Sequence, residues 1–125
     1  MTRKILVVDD QADLRMLIRL TFSGLGYEVR EAADGEAALA ACATQVPDAV
    51  LLDVMMPGID GYAVCRRLRA DPRCTGLRIV LMTAGDQATE RARAQAAGAD
   101  EYVPKPFSPT KLLDIVGDLL ARPRG

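Results

Sequence analysis

The chain has 125 residues, half of them hydrophobic and 26% charged, with 16 basic side chains against 17 acidic ones. That length suits a single domain, residues 1–125, able to bury roughly two-thirds of the surface its unfolded chain exposes. No apolar run approaches the ~20 residues needed to span a bilayer, and Met1-Thr2-Arg3-Lys4-Ile5 lacks a signal-peptide core, so a cytoplasmic protein is expected. A net charge of −1 argues against direct nucleic-acid binding. Cys42, Cys65 and Cys74 are odd in number and share no CxxC spacing, which reads as reduced thiols. Histidine is absent altogether. That excludes Ser-His-Asp and Cys-His nucleophile systems, histidine-ligated zinc and carriage of phosphohistidine.

Short apolar runs alternate with stretches of helical period. Lys4–Val8 is a β-branched run of the kind covered on both faces of a sheet. Leu14, Leu17, Ile18, Thr21 and Leu25 then set a helical apolar stripe, punctuated by Gly24 and Gly26. Glu28–Ala32 is a shorter, more polar strand, followed by a helix over Gly35–Ala43 capped by Asp34. Ala49–Leu52 is again a buried-type strand, and Asp60 caps a helix over Gly61–Ala70. Arg66, Arg67, Arg69 and Arg73 concentrate basic charge on and just after that helix, which reads as a solvated face. Arg78–Met82 is the third strongly apolar strand, and Asp86 is a candidate cap for Gln87–Ala97. Glu101–Val103 is a short, polar strand, and Ser108-Pro109 starts a last helix with the stripe Leu112, Ile115, Val116, Leu119, Leu120. The tail Arg122-Pro123-Arg124-Gly125 reads as a true end or as the start of a linker.

Five strand-then-helix units predict a parallel, doubly wound α/β sheet. Placing the three apolar strands centrally gives the flavodoxin-like order 2-1-3-4-5, with five helices.

In such sheets ligands bind beyond the carboxyl ends of the strands. The first strand runs into Asp9-Asp10, the third ends at Asp53, the fourth at Thr83, and the fifth leads through Pro104 to Lys105. Lys105 stands between two prolines, and Pro106 admits a cis Lys105–Pro106 bond. Three carboxylates at one rim repel one another unless a cation intervenes, and an all-oxygen set points to Mg²⁺ or Mn²⁺. Carboxylates of about −3, an ammonium of +1 and a metal of +2 sum to roughly zero, which leaves room for a phosphoryl group. Asp53, on the turn Val54-Met55-Met56-Pro57-Gly58, is the expected nucleophile, forming an acyl phosphate.

The motifs Val7-Val8-Asp9-Asp10, Leu52-Asp53-Val54-Met55-Met56-Pro57-Gly58-Ile59-Asp60-Gly61, Thr83-Ala84, Gly98-Ala99-Asp100-Glu101-Tyr102 and Lys105-Pro106-Phe107 resemble the receiver domain of two-component response regulators. The resemblance covers essentially the whole chain. It implies that Asp53 is phosphorylated by a histidine kinase or a histidine phosphotransfer protein. It implies that Asp10, Asp53 and the Met55 carbonyl bind Mg²⁺, with Asp9 acting through water. Thr83 and Lys105 would contact the phosphoryl oxygens, and Tyr102 would be the aromatic switch that turns inward as Thr83 moves.

Met55 stands two residues beyond Asp53 and Gly85 two beyond Thr83. Neither side chain can orient an attacking water through a strong hydrogen bond, so slow self-dephosphorylation is expected. Residues 87–97 carry no apolar side chain larger than alanine, so that helix should shift cheaply. With the resemblance, this points to an output face of the 87–97 helix, the fifth strand and the last helix, for a partner or a phosphorylation-dependent homodimer. Two other functions compete: a Mg²⁺-dependent aspartyl-phosphate phosphatase, although Asp53-Val54-Met55 lacks the second acid of an Asp-x-Asp pattern, and a docking module that needs no phosphorylation.

Overall fold

The structure is a computed structural model that describes residues 2–85 and 87–122. Its elements run β1 (Lys4–Val8), α1 (Ala12–Ser23), β2 (Glu28–Ala32), α2 (Gly35–Thr44), β3 (Ala49–Asp53), α3 (Gly61–Ala70), β4 (Arg78–Thr83), α4 (Gln87–Ala97), β5 (Glu101–Pro104) and α5 (Pro109–Ala121). A 3₁₀ turn at Pro72–Cys74, unforeseen from the sequence, follows α3. The five strands are parallel in the order β2-β1-β3-β4-β5, as the apolar ranking of the strands predicts.

The burial of each strand explains its place. Every residue of β3 and β4 is buried, whereas β2 and β5 each expose residues. Alternation then divides the core in two. Leu6, Val8, Val50, Leu52, Ile79 and Leu81 face α2, α3 and α4, and Ile5, Val7, Leu51, Val80, Met82 and Val103 face α1 and α5. Among the described residues, α4 contributes only Ala94 and Ala97 to that core, in keeping with its alanine-rich sequence.

Helix starts follow the predicted caps. Asp34, Asp60 and Ser108 accept hydrogen bonds from the backbone N–H groups of Ala37, Ala63 and Lys111. The expected cap Asp86 and the tail residues 123–125 lie outside the described residues. No helix among the described residues is long and apolar enough to cross a membrane.

Two expectations are corrected. On α1 the buried anchors are Ile18 and Phe22, while Leu17 and Leu25 of the predicted stripe are exposed. The helix ends at Ser23, so Leu25 lies in the following turn, where helical period no longer fixes its direction. Nor is Arg69 part of a solvated face. Its guanidinium donates to the carbonyls of Gly98 (2.7 Å) and Cys74 (3.0 Å) and to Asp100 (2.6 Å), tying α3 to the approach to β5.

Candidate functional site

Parallel strands carry their carboxyl ends to one edge, so side chains distant in sequence meet there. Asp9 follows β1 directly, Asp53 ends β3, Thr83 ends β4 and Lys105 follows β5. One carboxylate oxygen from each of Asp9, Asp10 and Asp53 lies within 4.8 Å of the others. Asp9 is fully buried, Asp53 nearly so, and Asp10 is exposed.

Lys105 is the counter-charge. Its Nζ lies 2.9 Å from Asp9 Oδ2 and 3.4 Å from Asp53 Oδ1. Its backbone N–H donates to the Thr83 carbonyl, which fastens the residue to the end of β4, and the Lys105–Pro106 peptide is cis. Asp9 also accepts the backbone N–H of Gln11 (2.8 Å), and Asp53 accepts that of Met55 (3.2 Å). Burial, reinforced by the Asp9 charge, pushes the Asp53 carboxyl above the ordinary carboxylate range despite Lys105. For Lys105 burial works to lower the ammonium's pKa, but the hydrogen bond to Asp9 and the charges of Asp53 and Asp9 raise it overall. A carboxylate held in this unfavourable field gains from a further cation.

The loop after β3 is held close by Gly61. A Cβ there would fall 2.4 Å from the Asp53 carbonyl oxygen and 2.8 Å from Val54 Cα, so only glycine lets α3 begin against the Asp53 backbone. Met55 does not pack, because its side chain is 73% exposed. Its neighbour Met56 is buried instead.

Among the described residues, Thr83 Oγ1 has no hydrogen-bond partner, although it is buried at the end of a fully buried strand. An unpaired buried hydroxyl is costly, by about 1–3 kcal/mol, and marks a group suited to meet an acceptor from outside the chain. Tyr102, on β5, is half-buried; its ring lies 5.4 Å from the Arg91 guanidinium carbon, and its hydroxyl receives a hydrogen bond from Arg91 (3.4 Å). The structure therefore brings Asp9, Asp10, Asp53 and Lys105 into one cluster beside Thr83 and Met55. Tyr102 stands apart, against α4.

Sequence reasoning passed over Glu90. It is only 8% exposed, one carboxylate oxygen has no partner among the described residues, and it lines a cavity of about 280 Å³ with Val54, Met55, Tyr62, Thr83 and Gly85. In sequence it is an acid in the first turn of a helix, where acids commonly sit for electrostatic reasons. A clue lay in its spacing from Gly85: the position that lacks a side chain is filled by this one. A Cβ at Gly85 would lie 2.7 Å from Glu90 Oε1.

Comparison with known proteins agrees with this geometry. Residues 5–117 match the family model described as "Response regulator receiver domain". The chain is 48% identical over 121 residues to the response regulator MprA of Mycolicibacterium vanbaalenii, covering 95% of this chain and 51% of that one. It is 44% identical over 120 residues to the "Probable transcriptional regulator ycf27" of Cyanophora paradoxa, covering 96% of this chain and 49% of that one. It thus spans about half the length of the curated relatives it matches. Among solved structures, the chemotaxis response regulator CheY4 of Vibrio cholerae superposes with a TM-score of 0.90 at 30% identity, covering 95% of this chain and 99% of that one. The BeF3-activated DrrB receiver domain superposes with a TM-score of 0.87 at 33% identity, covering 98% and 100%. With a family model matching nearly its whole length and an acidic cluster at the rim where its parallel strands end, the chain belongs to the receiver domains of two-component response regulators, a family of phosphoacceptor signalling modules.

Proposed function

We propose that Asp53 is the residue that accepts the phosphoryl group, with Asp9, Asp10, Thr83 and Lys105 supporting the transfer. The carrying observation is the cluster itself: Asp53 ends a buried central strand beside two further carboxylates and 3.4 Å from the only ammonium among these residues. The elevated proton affinity of Asp53 argues for a cation at the site. The donor chemistry fits Mg²⁺ or Mn²⁺, since every candidate ligand is an oxygen and three carboxylates supply the charge. Asp10, Asp53 and the Met55 carbonyl would hold the ion, with Asp9 acting through a water. Bound there, the ion would neutralise charge on the phosphoryl oxygens as they approach.

The rest of the work falls to the chain's own atoms. An Asp53 carboxylate oxygen attacks phosphorus, forming an acyl phosphate while the donor keeps the electron pair of the broken bond. Lys105 turns its ammonium from Asp53 toward a phosphoryl oxygen, and Thr83 donates its unpartnered hydroxyl to another. Because the chain has no histidine, a phosphohistidine donor sits on another molecule or another domain, a histidine kinase or histidine phosphotransfer protein. The motion of Thr83 would release Tyr102 from Arg91 and shift α4, which buries little beyond alanine and Glu90. The α4, β5 and α5 face would then engage an output partner or a second copy. The related DrrB receiver domain is BeF3-activated, and the rim of this chain would respond likewise to a small group bound at Asp53.

Incubation with acetyl phosphate and Mg²⁺ should add the mass of one phosphoryl group, and Asp53→Asn should abolish the gain. Undiminished labelling of Asp53→Asn, or no labelling of the wild type with either acetyl phosphate or a phosphohistidine donor, would overturn the assignment.

A further inference from the structure

A cavity of about 440 Å³ opens at the rim between the start of α1 and the residues that follow β4 and β5. It is lined by Gln11, Leu14, Ala84, Lys105, Pro106 and Phe107. Lys105 joins it to the reacting carboxylate, because the same ammonium stands 3.4 Å from Asp53. The remaining walls are unlike the acidic cluster. Leu14 and Phe107 are half-buried and pack on the core that faces α1 and α5, so they are held from below. Ala84 and Pro106 are exposed, and neither has a side chain that can hydrogen-bond. Ala84 reaches no further than its Cβ, which keeps the cavity wide. Gln11 is the polar exception. It is the N-cap residue of α1, yet its side chain makes no capping hydrogen bond, so its amide remains a donor for the cavity.

To gain a phosphoryl group, Asp53 must displace something from phosphorus. In an in-line displacement the leaving group stands opposite the attacking oxygen, away from β3 and beyond the rim. A cavity of this size takes small ligands, and apolar walls with a few polar groups suit a mostly apolar one. A nucleotide donor would set a charged diphosphate against Leu14, Pro106 and Phe107, a costly burial with Lys105 already engaged by the rim. An acyl phosphate leaves instead as a single carboxylate on a hydrocarbon chain.

We propose that this cavity is a leaving-group pocket, and that the chain takes phosphoryl groups from small acyl phosphates bearing an apolar acyl chain. This rests on Asp53 being the phosphoryl acceptor. In the step, an Asp53 oxygen bonds to phosphorus and the bond from phosphorus to the acyl oxygen breaks. The electron pair of that bond stays on the acyl oxygen, which departs as carboxylate and accepts a hydrogen bond from the Gln11 amide. No proton is transferred. The hydrocarbon chain lies along Leu14 and Phe107, in the space that Ala84 leaves. Donor preference is therefore set by side chains outside the acidic cluster.

Acetyl phosphate and butyryl phosphate differ by two methylenes, while their leaving carboxylates have much the same basicity. Gain of phosphoryl mass is followed with each donor at equal, subsaturating concentration and with Mg²⁺ present. Butyryl phosphate should label the wild type about tenfold faster, the low end of what added methylenes are worth in an apolar pocket. Ala84→Leu fills the cavity and Leu14→Asn removes an apolar wall, and each should bring the ratio of the two rates close to one. General damage to the site lowers both rates and leaves their ratio unchanged, so the ratio reads the pocket alone. A wild-type ratio within twofold of one would leave the cavity to a protein donor and overturn the proposal. A tenfold ratio that survives both substitutions would overturn it too. If neither acyl phosphate labels the wild type but a phosphohistidine donor does, the pocket falls and Asp53 stands. If no donor labels it, the assignment of Asp53 falls as well.

Discussion

The ammonium of Lys105 lies 2.9 Å from Asp9, a residue 96 positions earlier in the chain and fully buried. The same ammonium stands 3.4 Å from Asp53. One flexible side chain thus compensates two carboxylates, and Asp9 is the one it binds more closely. Removing one partner of a buried pair leaves a desolvated charge behind. Lys105→Met should destabilise the metal-free protein by about 2 kcal/mol in urea unfolding with chelator present. Added Mg²⁺ should recover much of that loss by supplying another cation. An unchanged unfolding midpoint in chelator would contradict this account of the rim.

Asp53 gives the opposite sign. Burial and the Asp9 charge raise its proton affinity in the folded state, so the folded protein holds that proton more tightly than the unfolded chain does. Its contribution to stability is therefore greatest in acid and is lost as pH rises from the ordinary carboxylate range through the raised folded value. Without metal, Asp53→Asn should be more stable than wild type at neutral pH, and the gap should close on acidification. Urea unfolding across the carboxylate range measures it, and a gap that widens in acid would reverse the inferred sign.

Gly61 tests whether the Asp53 backbone is held by close approach. In Gly61→Ala the new methyl would meet the Asp53 carbonyl oxygen and Val54 Cα, both backbone atoms that cannot rotate away. A loss of more than about 2 kcal/mol is expected. Phosphorylation by acetyl phosphate should fall with it, since the loop carrying Asp53 and Met55 must move. A stable Gly61→Ala chain that is labelled at the wild-type rate would show that the contact is dispensable.

Arg69 should matter for stability alone. Asp100 is largely buried and accepts both the Arg69 guanidinium and the Ile79 backbone N–H (2.7 Å). Arg69→Ala should cost about 3 kcal/mol, and Arg69→Lys should recover less than half, because an ammonium cannot reach two carbonyls and a carboxylate from one plane. Equal recovery by lysine would reduce the contact to simple charge.

The cysteines should be inert in the native protein. All three are buried, and burial, with smaller help from Cys74, pushes the Cys42 thiol up to about 11. A thiol-alkylating reagent at mildly alkaline pH should label none of them until the chain is unfolded. Rapid native labelling of Cys42 would mean that α2 opens readily.

The order of the sheet and the identity of the rim are written in the linear pattern. Apolar runs at Lys4–Val8, Ala49–Leu52 and Arg78–Met82 are long enough to need cover on both faces, which makes them central. Parallel crossovers then bring their carboxyl ends to one edge, so Asp9, Asp10, Asp53, Thr83 and Lys105 could be named in advance. Caps at Asp34, Asp60 and Ser108 were equally legible, because a cap is a local hydrogen bond. Other facts depend on which surfaces meet, and these emerge from the folded chain alone. Leu17 is exposed although its spacing is that of a buried residue, because the stripe of α1 is wider than the face it packs. Arg69, read as solvated, is a bridge to Asp100 across 31 residues. Glu90, an ordinary first-turn acid in the sequence, occupies the space that Gly85 leaves empty beside Thr83. Local pattern sets direction along an element, and only packing sets what lies opposite it.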